Sequence, residues 1–342
     1  MTALSVVIPA LNEAESLPAL LTDLAAQRGC ELEVLVVDGG STDETPQRAR
    51  AAGASVVSAA RGRGTQMNAG ASAASSDFLL FLHADSRLPE PMTLAAALAQ
   101  LVDTLSSDGT PRIAAHFPIR FHRRVPGDDF LYAWLESKAV LGRPGTINGD
   151  QGLLLPRDYF RELGCFDTRL PFHEDQRLAA RVFDTGRWIL LHTPIVTSAR
   201  RFEVEGMAPR LTLMALLMGL HAAGHDPLLA EMPGIYAEHH RAGPLQLKPL
   251  TGHVRRALWR LGPAGFLRTL WRGGRYIRGN AWQLAFRRDV RRLGTEAGHR
   301  HPALDFFDRH LSRWLANPIA DSTALLLLAT WLYIWLPITE DS

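Results

Sequence analysis

Apolar residues near the start of the chain arrive in short unbroken runs with helical patterns between them. Ser5-Val6-Val7-Ile8 stops at Pro9, and Glu33-Val34-Leu35-Val36-Val37 stops at Asp38-Gly39-Gly40. Ser55-Val56-Val57 precedes Arg61-Gly62-Arg63-Gly64, and Phe78-Leu79-Leu80-Phe81-Leu82 stops at His83-Ala84-Asp85. Short apolar runs closed by turn residues read as buried strands. Leucines at helical spacing over Glu15 to Ala26 predict a first helix. Ser41 followed by Glu44 predicts a capping box opening a second, and a third is expected from about Thr65. The order βαβαβαβ predicts an α/β fold with a largely parallel central sheet covered by helices on both faces. Ligands of such sheets bind outside the carboxyl ends of the strands, which selects Asn12, Glu13, Asp38, Arg61, Arg63, His83 and Asp85 as candidates.

Residues 111–200 predict mixed structure: an alternating strand from Arg112 to Phe121, a helix near Asp129 to Leu141, and Gly149-Asp150-Gln151-Gly152 before the apolar Leu153-Leu154-Leu155. Phe172-His173-Glu174-Asp175 then opens a helix through Val182. An acidic pair at a helix start is favoured by the macrodipole, and equally supplies a carboxylate for proton transfer.

Composition narrows the class. The chain has 342 residues, 46% of them hydrophobic and 21% charged, which excludes a disordered, collagen-like or multi-span membrane protein. Two cysteines, Cys30 and Cys165, exclude a disulfide scaffold and a four-cysteine zinc site, and read as buried thiols. The segment Met1 to Glu13 lacks a basic start and carries Pro9 within its apolar run, so no signal peptide is expected there and the N-terminal part is expected in the cytoplasm. His221 and His225 have metal-ligand spacing, but Gly224 intervenes and a surface or capping role is the better reading.

The first loop, Pro9-Ala10-Leu11-Asn12-Glu13, has no glycine and ends in a carboxylate, which argues against a dinucleotide fold, a P-loop and a sugar-nucleotide pyrophosphorylase; a nucleotidyltransferase on a related α/β fold stays as the disfavoured enzyme alternative. Carboxylates after the first, second and fourth strands would repel one another unless they bind base and ribose groups or share a divalent cation. A nucleotide diphosphate held through Mg2+ or Mn2+ meets that need. The alternative is that Asp38 and Asp85 cap helices.

These segments, with Val36-Val37-Asp38-Gly39-Gly40-Ser41-Thr42-Asp43 and Gln66-Met67-Asn68-Ala69-Gly70, resemble the successive motifs of inverting family 2 glycosyltransferases. In particular they resemble the subgroup described as radical-SAM/selenodomain-associated transferases. The resemblance runs over roughly residues 3–236 and implies a GT-A fold that transfers a sugar from a nucleotide-diphosphate donor. It implies that Pro9, Asn12, Glu13, Asp38, Arg61, Arg63, Gln66, Asn68, His83, Ala84 and Asp85 form the nucleotide-sugar site. It also implies that Asp85 binds Mg2+ or Mn2+, with His83 as a further ligand, and His192 is carried as another metal neighbour or an ordinary histidine. Glu174-Asp175 resembles the family's ED motif, so Asp175 is the expected general base, Glu174 its support, and Asp150 and Gln151 lie near the acceptor or donor sugar. Two positions depart from the family pattern: Gly39 stands where a second Asp is usual, and His83 where the DxD motif begins. The Q-x-x-R-W signature of processive members is missing, so single-sugar addition is expected.

Charge divides the chain. Residues 1–240 carry a net −7, residues 241–292 a net +12 and residues 293–342 a net −3. A boundary is therefore expected near residues 237–250, dividing a transferase domain (1–236) from a helical basic region (237–342). There, arginines interleave with Trp259, Phe266, Trp271, Tyr276, Trp282 and Phe286, a pattern that suits an anionic membrane surface or a polyanion such as RNA. The apolar run Ala324 to Ile338 decides for the membrane, so no nucleic acid is expected. At ~1.5 Å per residue, Ser322 to Ile338 falls a little short of a ~30 Å hydrocarbon core, so it reads as a marginal span, a re-entrant segment or a buried helix, the alternative being a basic helical subdomain with Ala324 to Ile338 as its core helix. The expected place is the cytoplasmic face of the cell membrane, with the acidic tail at Glu340 and Asp341 facing out if the run spans, and a lipid among the expected acceptors. The non-enzyme alternative is a membrane-bound scaffold that keeps the fold without the chemistry.

Overall fold

Strand β1 (Ala3–Ala10) is buried along nearly its whole length because neighbours cover both faces of the sheet. Leu4, Val6 and Ile8 point into one core with Leu17, Leu20 and Leu24, while Val7 points into the other with Val37, Met67 and Phe81. The computed structural model describes residues 3–169, 172–239, 243–294 and 300–340. The chain divides into two compact units, one of residues 1–122 and 135–198, the other of residues 123–134 and 199–342.

In the first unit the chain runs β1, α1 (Leu17–Ala25), β2 (Glu31–Asp38), α2 (Thr45–Ala51), β3 (Ser55–Ser58), α3 (Arg63–Ala73), β4 (Phe78–Phe81) and α4 (Thr93–Asp108). It continues through β5 (Ile113–His116) and β6 (Ile119–His122), and α5 (Asp129–Ala139) straddles the two units. After a 3-10 turn at Gly149–Gln151 come β7 (Leu153–Pro156), α6 (Arg157–Glu162), α7 (Glu174–Thr185), β8 (Arg187–Leu190) and β9 (Ile195–Ser198). The central sheet has seven strands in the order β3-β2-β1-β4-β7-β5-β8. Only β7 runs antiparallel to its neighbours. The α/β class with a largely parallel sheet is as expected.

Three local expectations change. The alternating stretch Arg112 to Phe121 is two strands in two sheets, β5 in the main one and β6 beside β9, because Pro118 between them has no N–H to donate to a ladder. The Ser41–Glu44 capping box does not form: Ser41 Oγ accepts from the Asn12 N–H, Glu44 pairs with Arg48, and Asp43 Oδ1 accepts the Thr45 N–H at the start of α2. Cys30 and Cys165 are free and half-buried rather than buried, with burial raising both thiols.

The second unit is helical: α8 (Arg200–Glu205), α9 (Met207–Ala222), α10 (Asp226–His239), α11 (Leu247–Arg260), α12 (Gly262–Gly279) and α13 (Trp282–Leu293). They are followed by α14 (Pro302–Phe306), α15 (Ser312–Leu315), α16 (Pro318–Thr330) and α17 (Leu336–Glu340). The unit's longer stretch begins at residue 199, and the expected boundary at 236/237 falls inside α10. Residues 123–134 join this unit: Glu203 accepts the Arg124 N–H, and Arg287 and Arg291 lie over the Phe130 ring. His225 Nε2 bonds Thr269 Oγ1 at 2.6 Å, and His221 Nδ1 lies 3.7 Å from Asp226, so the two histidines turn to different partners. Asp289, the one acidic residue of 241–292, is buried and accepts the N–H groups of Ala303 and Leu304 at the start of α14. Among the described residues of that segment the exposed charge is therefore all positive. From Pro318 to Thr339 a 22-residue helix is long and apolar enough to cross a membrane by length and composition, with 22% of its apolar window buried. Its inner face packs on α12, where a side chain at Gly274 would meet the backbone of Leu325 at 2.7 Å, and Arg278 pairs with Asp321. The side chain of Glu340 and all of Asp341 lie outside the described residues.

Candidate active site

At the carboxyl edge of the sheet the loops after β1 and β2 brace each other. Asn12, with φ 55°, donates its N–H to Ser41 Oγ and accepts the Thr42 N–H on Oδ1 at 2.8 Å. Glu13 donates its N–H to Thr45 Oγ1 at 2.9 Å. Asp38 accepts the N–H groups of Gly40 and Ser41 at 3.2 Å, so it shapes the loop and still has lone pairs for a ligand. Pro9 is tolerated in this interior strand because β4, pairing β1 only as far as Val7, has ended there.

Two expected ligand contacts turn out to hold backbone instead. Gln66 donates both amide hydrogens, to Ala10 O and to Val37 O, each at 2.8 Å. Ala10 O already accepts the Gly39 N–H at 2.9 Å, so the amide adds a second donor there and clamps the ends of β1 and β2 together. Asn68 exchanges two 2.9 Å hydrogen bonds with the backbone of Phe166. Gly39 follows from Gln66: a Cβ there would lie 2.9 Å from its amide. Ala84 is also corrected, since it packs in the core while the neighbours on either side of it are only partly buried.

The other wall comes from the 3-10 turn and α7. The Gly149 N–H donates to Asp175 Oδ2 at 2.7 Å, and a side chain at Gly149 would lie 3.0 Å from His83 Nε2. Arg63, first in α3, lies 3.3 Å from the buried Glu174. Burial pushes the Glu174 carboxyl up, with Arg63 opposing. Asp150 Oδ1 is shut off from solvent and has no hydrogen-bond partner, and burial together with the charges of Asp175 and Asp85 lifts its carboxyl to about 6. Arg63 pulls the other way. Arg63, His83, Gly149 and Asp175 thus line one pocket, with Asp85 and Asp150 in its electrostatic field. Arg61 is exposed beside them in the chain.

Gln151 does not face this pocket: it is buried and donates to Thr146 O at 2.6 Å, stiffening the turn. His192 is exposed after β8, its N–H held by Gln100, and it does not line the pocket. Among the described residues no three His, Cys, Asp or Glu side chains form a metal cage. Sequence reasoning missed Gln176, which donates to Ile147 O and Asn148 Oδ1 and ties α7 to the turn, and the apolar inner wall of Met67, Phe166 and Trp188. A polar residue just after the acidic pair was the available signal for Gln176; nothing in the pattern marked Trp188.

The sequence model of the family described as Glycosyl transferase family 2 matches residues 5–104. A PGL/p-HBAD biosynthesis glycosyltransferase of Mycobacterium tuberculosis (strain ATCC 25177 / H37Ra) is 38% identical over 111 residues, covering 30% of this chain and 43% of that protein. The glucosyl-3-phosphoglycerate synthase of Mycolicibacterium smegmatis is 35% identical over 130 residues, 35% of this chain and 40% of that protein. Among solved structures, a mannosyltransferase of Pyrobaculum calidifontis in complex with GDP-Man and Mn2+ aligns with a TM-score of 0.47 at 19% identity, over 97% of this chain and 87% of that one. The chain spans about two fifths of the length of these curated relatives. The stretch similar to that family model, residues 5–104, includes both braced loops, Arg63 and Asp85.

Proposed function

We propose that this chain is a GT-A glycosyltransferase of the radical-SAM/selenodomain-associated kind. It transfers one sugar, with inversion, from a nucleotide-diphosphate donor to an acceptor at the cytoplasmic face of the membrane. The observation that carries the reading is the half-buried Asp175 carboxylate, oriented by the Gly149 N–H in a pocket shared with Arg63 and His83. The relatives named as a glycosyltransferase and a glucosyl-3-phosphoglycerate synthase support sugar transfer.

In this mechanism the acceptor hydroxyl oxygen bonds the anomeric carbon as the bond from that carbon to the diphosphate breaks, its electron pair leaving with the diphosphate. The hydroxyl proton passes to Asp175. Arg63 offsets the negative charge around the site and keeps the buried Glu174 paired. Asp38, Asn12 and Glu13 meet the base and ribose, and Arg61 faces the phosphates. The residues present also fit a hard divalent cation: Asp150 Oδ1 lacks a partner, and the carboxylates of Asp85 and Asp175 add to the negative field there. Asp85 with His83 would hold Mg2+ or Mn2+, which when bound supplies positive charge to a leaving diphosphate.

Membrane seating is supported by the apolar helix at Pro318–Thr339 and by the uniformly cationic exposed charge of 241–292. That location would suit a lipid-linked acceptor.

The test is calorimetric titration with UDP-, GDP- and dTDP-sugars, with and without Mn2+. One donor should bind wild type in a metal-dependent way, with binding lost in Asp85→Ala and kept in Asp175→Asn. Failure of every donor to bind the folded protein would refute the reading.

A further inference from the structure

The apolar helix Pro318–Thr339 packs on α12 by one face only. The two run antiparallel: Arg278 pairs with Asp321, a Cβ at Gly274 would meet the backbone of Leu325 and one at Gly273 the side chain of Leu328, each at 2.7 Å, and the rings of Phe266 and Tyr333 lie 5.6 Å apart. The packed face, with Ala324, Leu332 and Leu336, is buried. On the opposite face Ile319, Leu326, Leu327, Ile334 and Ile338 are each at least 58% exposed. Ser322 and Thr323 share that face by helical spacing, and their hydroxyls donate to Pro318 O and Ile319 O, so those two donors need no water. The partner helix differs in kind: residues 262–279 hold four arginines and no Asp or Glu, and Arg268, Arg272 and Arg275 are exposed.

This pairing sets the arginines level with the apolar face. Gly273 meets Leu328 at the middle of Pro318–Thr339, and Arg272 precedes Gly273. If the apolar helix crossed a bilayer, α12 would cross beside it and carry Arg272 to the centre of the ~30 Å core, about 15 Å from either surface, with Arg268 and Arg275 about one turn away on each side. Exposed charge at that depth is strongly disfavoured. We propose that the helix instead lies flat in one leaflet of an anionic membrane, its exposed face among the upper acyl chains and the arginines of α12 at the lipid phosphates. Charge complementarity selects this occupant. A second copy meeting the first by the same face would add its own α12 arginines to this row, and a polyanion without hydrocarbon would leave the apolar face in water. Glu340 and Asp341 then stay on the side of the arginines. The inference rests on the membrane seating proposed above and decides the topology of that contact.

The test uses the full chain with Cys30→Ser and Cys165→Ser, a single NBD label on Ile319→Cys, Leu327→Cys or Ile338→Cys, and phosphatidylcholine vesicles with or without phosphatidylglycerol that carry doxyl quenchers at a shallow or a deep acyl position. All three labels should be quenched more by the shallow doxyl, and Arg268→Glu/Arg275→Glu should lower sedimentation with the phosphatidylglycerol vesicles at least ~10-fold. Thermal melts identify any variant that fails to fold, and quenching reads the topology without the arginine variant. Stronger quenching of Leu327→Cys by the deep doxyl, with both end labels shallow, would mean a crossing helix: it overturns the flat placement and leaves membrane seating standing. Failure of wild type to sediment with either vesicle overturns both, while the donor titration still decides the transfer reaction. Labels already shielded in a vesicle-free dimer would give the face to a second copy, and undiminished sedimentation of the arginine variant would take the phosphates away from α12; each overturns the proposal.

Discussion

The Gly149 N–H donates to Asp175 Oδ2 at 2.7 Å, joining a turn after α5 to the first turn of α7, 26 residues further on. One oxygen of the carboxylate is thereby oriented, while Oδ1 accepts the N–H of Gln176. Both donors are backbone N–H groups, so in an Asn side chain the amide oxygen can accept only one of them and the NH2 group leaves the other unmet. Asp175→Asn should therefore lower transfer by ~10²–10⁴-fold and leave donor affinity unchanged, at a cost of about 1 kcal/mol in stability for the one unmet N–H. A variant that keeps near-native turnover would remove Asp175 as the base.

Arg63 and Glu174 form a pair with one partner buried and the other about two fifths exposed. Arg63→Met leaves a buried carboxylate without its cation. The loss should be about 1–2 kcal/mol, below the ~3–5 kcal/mol of a fully buried pair because Arg63 is partly solvated. Adding Glu174→Gln should recover most of it. Urea melts of the four proteins of this cycle measure the coupling, and additive effects would show that the pair does not act as one.

Gln66 occupies the space that a side chain at position 39 needs. Gly39→Ala should cost ~1–3 kcal/mol by displacing an amide that holds both Ala10 O and Val37 O. The same substitution in a Gln66→Ala background should cost less than in wild type. Equal penalties in both backgrounds would mean the strain lies elsewhere.

Two buried groups titrate in opposite directions over the same acid range. Burial pushes the His116 imidazole from 6.5 down to about 4, so it stabilises the fold fully above pH 6.5 and that contribution is lost as pH falls to 4. Asp150 is raised from 3.8 to about 6, so its penalty is full above pH 6 and is relieved as pH falls toward 3.8. Each effect is worth roughly 3 kcal/mol and they offset. In metal-free buffer Asp150→Asn should raise stability at pH 7 and leave the His116 acid loss unopposed, whereas His116→Gln should leave the Asp150 gain unopposed, so that stability rises as pH falls from 6 toward 3.8. Parallel stability curves against pH for all three proteins would contradict this account.

The exposed face of the Pro318–Thr339 helix predicts a loss on charging it. Leu327→Glu/Ile334→Glu should leave donor binding intact and reduce sedimentation with vesicles containing anionic lipid by at least ~10-fold, since each charge opposes burial in hydrocarbon. Undiminished sedimentation would place the membrane contact on another surface.

Periodicity and motif order alone determined the parallel start of the sheet, the edge where ligands meet it, the acidic opening of α7 and the basic helical end of the chain. Those features are local: a run of apolar residues, a turn residue or a block of arginines is legible wherever the chain later goes. Which polar residues face the crevice was decided only by the tertiary structure. Gln66, Asn68 and Gln151 sit within site motifs, yet backbone groups of Ala10, Phe166 and Thr146 claim their side chains. Ala84 turns into the core between partly buried His83 and Asp85. The approach of Gly149 to Asp175 and of Arg63 to Glu174, and the packing of Pro318–Thr339 on α12, join residues far apart in sequence. Such contacts leave no local periodic trace, because they depend on how whole elements pack.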